Sequence, residues 1–404
     1  MLNQALTLPC GAVIKNRLCK AAMTERLSRS DYKANELHYT LYERWAKGQS
    51  GIMITGNIMV DKRSMESAGN IALEDTSGME ELKKLASIGT SEGHHFWVQI
   101  SHSGRQTTRF VNPNPVSASD VQLKKMGLFN QPRPLPVEEI QELIQRFRFT
   151  AEHCKKAGFT GIQIHAAHGY LISQFLSPTT NKRTDQYGGS IENRARLLLE
   201  VLAACREAVG PEYPISVKLN SADFQRGGFS EEDSMAVIKM LNDAKIDLLE
   251  ISGGTYEQLV FFTMNHQKES TQKREAYFLD YARKVRDLAQ MPIMVTGGFR
   301  TRQLCIEALE SGALDVIGVA RPYLLVPDQI ADFLSGELAA FPDQAIRTGI
   351  KMIDDSAEGG FYAKQLIRIA EGKAPNPNYP AFFAANFLII HEIGKAFGKK
   401  RASS

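Results

Sequence analysis

The chain has 404 residues, 43% hydrophobic and 23% charged, with a formal net charge of +3 spread without a dominant block. That is an ordinary globular composition with a large core, and no basic stripe or motif points to a nucleic-acid partner; the short tail GKKRASS reads as a solvated end. Five scattered cysteines (Cys10, Cys19, Cys154, Cys205, Cys305) without a C-x-x-C pair, no run near the roughly 20 apolar residues of a membrane span, and no apolar signal at the N-terminus predict a soluble cytoplasmic protein without a disulfide framework.

In chain order, RLCKAAM at 17–23, GIMITG at 51–56 and HFWVQI at 95–100 predict three strands. The segment 111–136, rich in Pro, Asn and Ser, predicts a long excursion over one end of the fold. Ile140, Leu143, Ile144, Phe147, Ala151 and Cys154 then follow helical spacing over 138–156. GIQIH at 161–165 and YPISVKL at 213–219 predict strands four and five. Ser230 with Asp233 is a capping-box signal for a helix over 230–244. DLLEIS at 247–252, PIMVTGG at 292–298 and DVIGVA at 315–320 complete eight strands, with a helix over 302–311 stopping at Gly312. Each run is short and continuously apolar, as a strand covered on both faces requires. Eight strands alternating with helices predict an α/β fold, a (β/α)8 TIM barrel over 1–339. IADFLSGEL, from Ile330, finishes the barrel. The remainder, 340–404, is a helical C-terminal extension, with AIRTGIKMIDD, AKQLIRIAEG and FLIIHEIGKAF as its helices. Structural cover is the plain expectation for it; a lid or a homo-oligomer contact is the sharper one.

A barrel's active site lies at the C-terminal ends of its strands. The residues there are Ala21, Ala22 and Thr24 after strand one, Asn57 after strand two and Gln99 on strand three. His165, His168 and Tyr170 follow strand four, Lys218 lies on strand five, and Ser252-Gly253-Gly254 ends strand six. Gly297 and Gly298 end strand seven, and Ala320 and Arg321 end strand eight. Two glycines let backbone N–H groups approach an anion, and Arg321 adds a planar cationic fork. The loops after strands seven and eight are this fold's usual phosphate site, so a bound phosphate is expected there. Gln99, Lys218, His165 and Thr24 offer donors and a cation with few carboxylates. That set suits a flat heterocycle better than an oxygen-liking metal. No G-x-G-x-x-G, Walker loop or H-E-x-x-H occurs.

With these residues in place, the chain resembles the old yellow enzyme family of FMN-dependent ene-reductases and NAD(P)H:flavin oxidoreductases. The most specific match is HAAHGYLISQFLSPTTNKRTDQYGGSIENRARL at 165–197. NRLCKAAMT at 16–24, QISHSGRQ at 99–106, VKLNSADF at 217–224, VTGGF at 295–299 and GVARPYL at 318–324 support it. The resemblance covers roughly 1–335 and fades over 340–404. It implies tightly but non-covalently bound FMN, with NAD(P)H as reductant. Ala21, Ala22 and Thr24 would run beside the flavin N5–O4 edge, with Thr24 tuning the flavin potential by a hydrogen bond. Asn57 would line the flavin, Gln99 would bond its pyrimidine edge, and Lys218 would face N1 and O2. Gly297, Gly298, Ala320 and Arg321 would hold the phosphate. His165 and His168 would bond the substrate's activating oxygen, with His165 also at the flavin, and Tyr170 would donate a proton. The chain departs from the family pattern in reading A-A-M-T where Ala-Pro or Ser-Pro is common. It also has Lys218 where arginine is usual, keeping the charge but losing the two-pronged fork. His102 and Arg105 lie in a matching motif without an assigned role.

The implied reaction is reduction of an activated C=C bond in an enone, enal or nitroalkene, by hydride from flavin N5 and a proton from Tyr170. A phenol, with an ordinary pKa of about 10, is protonated at neutral pH as a donor must be. Reduction of nitro compounds or nitrate esters is the alternative within this class. Outside it stand a metal-dependent barrel hydrolase using His165 and His168 as ligands, and a flavin carrier without turnover.

Overall fold

The computed structural model describes residues 1–125, 127–253 and 268–402. All eight apolar runs form strands: β1 (Leu18–Lys20), β2 (Ile52–Met59), β3 (His95–Ser101), β4 (Gly161–Ala166), β5 (Ile215–Asn220), β6 (Leu248–Ser252), β7 (Ile293–Thr296) and β8 (Val316–Val319). Each pairs in parallel with its neighbours, β8 returns to β1, and Cys19 and Lys20 of β1 face Ile52 and Met53 of β2, so the sheet closes. This is the predicted (β/α)8 barrel. Helices α1 (Glu36–Ala46), α2 (Met79–Gly89), α3 (Val137–Ala157), α4 (Ile191–Val209), α5 (Glu231–Asp243), α6 (Lys268–Arg286), α7 (Arg302–Glu310) and α8 (Ile330–Ser335) follow the strands in turn. Their apolar stripes cover the outer faces, which is why the strands read as mostly apolar runs.

Local sequence sets the helix ends. Glu138 and Glu139 open α3, Lys155 and Lys156 close it, and Gly158 caps it at φ 98°. Ser230 and Asp233 make the expected reciprocal cap of α5. Inside the barrel, alternate residues point to the axis. Cys19, Ile52, Ile54, Trp97, Leu248, Met294 and Val316 pack near the strand starts with Leu8 and Ile14 from an N-terminal hairpin. Gly161 makes room there, since a Cβ on it would lie 2.4 Å from Trp97 Nε1. One step further along the strands the inward residues become polar, and the site begins.

The extension adds α9 (Lys351–Ala370) and α10 (Ala381–Ala402). The helix expected from Ala345 starts only at Lys351. Gly349 takes φ 83°, and Thr348 is tied back to Asp354 Oδ1 through both its N and its Oγ1, at 2.7 Å each, so the chain turns before it coils. α9 and α10 cross closely at Gly360, where a Cβ would clash with Ala384 O.

Candidate active site

The polar layer is built by strand register. Gln99 lies opposite Gln163, Lys218 opposite His165 on one side and opposite Glu250 on the other. Gln99 Nε2 donates to Gln163 Oε1 at 2.7 Å, and Gln163 Nε2 donates to Glu250 Oε2 at 2.7 Å and Ser216 Oγ at 3.2 Å. Lys218 Nζ lies 2.9 Å from Glu250 Oε1, an ion pair not aligned as a hydrogen bond. The expectation of few carboxylates at the centre is corrected here, because a buried glutamate holds the lysine from below. Its signal was in the sequence: in DLLEIS, Glu250 is the charged residue flanked on both sides by apolar ones.

His165 and His168 face each other with ring centroids 5.3 Å apart, and Tyr170 stacks edge-on to His165 at 4.6 Å. All three are brought together as the motif predicts. Burial, with Lys218 nearby, holds both imidazoles well below the usual histidine pKa, so they are neutral. Ala167 N donates to His165 Nδ1 at 3.3 Å, which leaves the ring proton on Nε2. His168 sits at φ 59°, in the left-handed region, fixed by Asn220 Oδ1 at its N (3.1 Å) and Ser252 Oγ at its Nε2 (2.6 Å).

On the β1–β2 side, Ala21 N bonds Val319 O at 2.8 Å, so the end of β1 lies beside that of β8, with Ala22 half-buried next to it. Thr24 Oγ1 donates to Glu66 Oε2 at 2.8 Å, and Asn57 Nδ2 donates to the same oxygen at 3.0 Å. Arg26 NH2 reaches Glu66 Oε1 at 3.3 Å. Glu66 had no motif to mark it. At the far side, Gly297 and Gly298 take φ 106° and 88°, and a Cβ on Gly297 would meet open space. Arg321 follows Ala320 past the end of the neighbouring strand β8, over the Tyr362 ring at 5.0 Å and paired with Glu358 of α9. Gly254 lies outside the described residues.

Much of the long 165–197 motif is scaffold. Buried Gln174 accepts from Arg105 N (3.2 Å) and Ser117 Oγ (2.8 Å) and donates to Gly169 O (2.7 Å) and Ser103 O (3.1 Å). Arg183 pins the 111–136 excursion through Ala118 O (3.1 Å) and Leu135 O (2.6 Å). His102 has a structural place: its Nδ1 accepts from Gly104 N at 3.1 Å and its carbonyl from Leu171 N at 3.0 Å. Arg105 bonds Val121 O at 3.0 Å.

Among the described residues no group of three or more His, Cys, Asp or Glu is arranged to hold a metal, and no helix is long and apolar enough to cross a membrane. Comparison with known proteins agrees with the geometry. An NADH-dependent flavin oxidoreductase of Aspergillus parasiticus, nadA, is 38% identical over 80% of this chain and 76% of its own. A 2-naphthoyl-CoA reductase structure superposes with a TM-score of 0.80 at 26% identity, over 90% of this chain and 58% of that longer one. The old yellow enzyme homologue of Zymomonas mobilis shares the fold, with a TM-score of 0.71 at 24% identity over 84% of this chain and 93% of that one. Residues 9–334 match the NADH:flavin oxidoreductase / NADH oxidase family. The chain therefore belongs to that family, the old yellow enzyme family of FMN- and NAD(P)H-dependent oxidoreductases.

Proposed function

We propose that the protein reduces activated C=C bonds of enones, enals or nitroalkenes, with 1–339 as the FMN-binding barrel and 340–404 as a helical extension packed on it. The observation that carries this reading is the convergence of His165 and His168 with Tyr170 beside Lys218.

The residues fit FMN. Asn57 Oδ1 is buried without a hydrogen-bond partner, as an acceptor waiting for a ring N–H would be. Gln99 and Lys218 supply a donor and a cation for the carbonyl and N1 side, while Gly297, Gly298, Ala320 and Arg321 supply the phosphate end, with Ala21 and Ala22 leaving room for the ring. When bound and reduced, FMN supplies hydride from N5. His165 Nε2–H and the His168 imidazole donate to the substrate's oxygen, where negative charge grows in the transition state. A neutral imidazole carries a single N–H, and that is the proton each ring offers to the growing charge. Tyr170 delivers the proton to the α-carbon. Ser252 holds the His168 ring and Asn220 its backbone N–H in place beforehand.

The test is the visible spectrum of the purified protein with FMN, then NADH or NADPH, then cyclohexenone. Bleaching by the nicotinamide and reoxidation by the enone are expected. Protein that cannot be reconstituted with FMN, or reduced flavin indifferent to the enone, defeats the reading.

A further inference from the structure

Thr24 has one hydroxyl proton, and it is committed. It goes to Glu66 Oε2 at 2.8 Å, so Thr24 cannot also donate to a flavin beside it. Asn57 Nδ2, the other neighbour of the flavin edge, donates to the same oxygen at 3.0 Å. The carboxylate is almost fully enclosed, 5% exposed, and its other oxygen faces Arg26 at 3.3 Å. Arg26 is itself held from the far end of the chain. Its Nε lies 3.1 Å from Glu392 Oε1 on α10, and His391 Nε2 lies 3.2 Å from its carbonyl. Glu392 also takes bonds from Ser67 Oγ (2.6 Å) and Ala68 N (3.0 Å), the residues that follow Glu66.

We propose that Glu66 is a positioning residue that sets the reduction potential of the bound flavin. It orients Thr24 and Asn57 and places a negative charge near the ring edge, and Arg26, braced by Glu392 of the extension, partly offsets that charge. The idea rests on the FMN reading above. Its physical content is a sign. A fixed negative charge near a group that gains electrons disfavours reduction, and a fixed positive charge favours it.

The experiment is the midpoint potential of the FMN-loaded protein, by spectroscopic titration against a reference dye. Glu66→Gln keeps the side-chain shape and removes the charge; the potential is expected to rise. Arg26→Gln removes the offsetting cation; the potential is expected to fall. Arg26→Lys restores the charge and is expected to return it toward wild type. Unchanged potential in Glu66→Gln, or shifts of the same sign in Glu66→Gln and Arg26→Gln, overturns the proposal, since a purely structural role has no reason to give opposite signs. Should Glu66→Gln not fold, the Arg26→Gln and Arg26→Lys pair decides: a fall restored by lysine supports the idea, and any other pattern sinks it. Wild-type protein that binds no FMN instead defeats the underlying reading before any variant is made.

Discussion

Lys218 and Glu250 face each other on adjacent strands, Nζ 2.9 Å from Oε1, with side chains 6% and 0% exposed. Neither charge has water to fall back on. Removing one partner leaves the other buried and uncompensated, which costs about 3–5 kcal/mol, whereas replacing both with apolar residues costs far less. Lys218→Met and Glu250→Leu should therefore each destabilise the FMN-free protein strongly, and the double variant by much less than their sum. Urea unfolding of the four proteins closes the cycle; additive losses would show that the pair is not coupled.

Five histidines desolvated by the fold give stability a definite pH dependence. Burial lowers His38 to about 3 and His94 and His102 to about 4, and it holds His165 and His168 well below 6.5. In the folded state they stay neutral, while in the unfolded chain each takes a proton near pH 6.5. Their contribution is whole above pH 6.5 and is lost as pH falls below it, by at most about 1.4 kcal/mol per pH unit for each histidine. Stability should be flat on their account from pH 7 to 8 and fall steeply from 6.5 toward 4.5. A midpoint of thermal unfolding that does not move over that lower range counts against neutral burial.

The barrel was legible because every strand is a short, mostly apolar run, and strand register then placed Gln99, His165 and Lys218 on one inner layer. What the sequence hid was the set of carboxylates. Glu250 could have been found, since a charge within DLLEIS must face something buried. Glu66 sits in an irregular loop with no periodicity to betray it. Glu392 and Glu358 act on Arg26 and Arg321 from a segment without family resemblance, and no local pattern encodes contacts across hundreds of residues or those of α9 with the barrel rim. The extension thus reaches Arg26 on one side of the candidate site and Arg321 on the other.

Gly56 shows how tightly the rim of β2 is packed. The β2–β3 register shifts between Ile54 and Asn57, and a Cβ on Gly56 would lie 2.1 Å from Glu25 Oε2 and 2.3 Å from Met23 O. Its N–H also donates to Glu25 Oε1 at 2.8 Å. Gly56→Ala must push the segment leading to Thr24, at a cost of about 1–3 kcal/mol by overpacking. Calorimetry should show the lower unfolding temperature, and FMN affinity should fall with it; an alanine variant as stable as wild type would mean the rim can shift freely.

Arg321 is expected to hold the phosphate through the donors that Glu358 leaves available on its fork, with Tyr362 beneath. Losing a charge-assisted bond of this kind removes roughly 1.5–3 kcal/mol, so Arg321→Met should weaken FMN binding by about tenfold or more. Lysine should recover only part, because it has neither the fork nor the flat face that lies on Tyr362. Quenching of flavin fluorescence on titration measures both; full recovery by lysine would reduce the arginine to a point charge.

Tyr170 offers the sharpest division between chemistry and packing. It is 4% exposed and lies edge-on to His165, so Tyr170→Phe preserves the ring and removes only the hydroxyl. Reduction of the flavin by NAD(P)H needs no proton from this residue and should keep its rate. Reoxidation by an enone does need one, and loss of a positioned general acid lowers such a step by roughly 10²–10⁴-fold. Stopped-flow spectroscopy follows the two half-reactions separately. If both slow by the same factor, the hydroxyl matters for the shape of the pocket and the proton comes from elsewhere. If only the second slows, Tyr170 is the acid, and the imidazole pair beside it handles the oxygen alone.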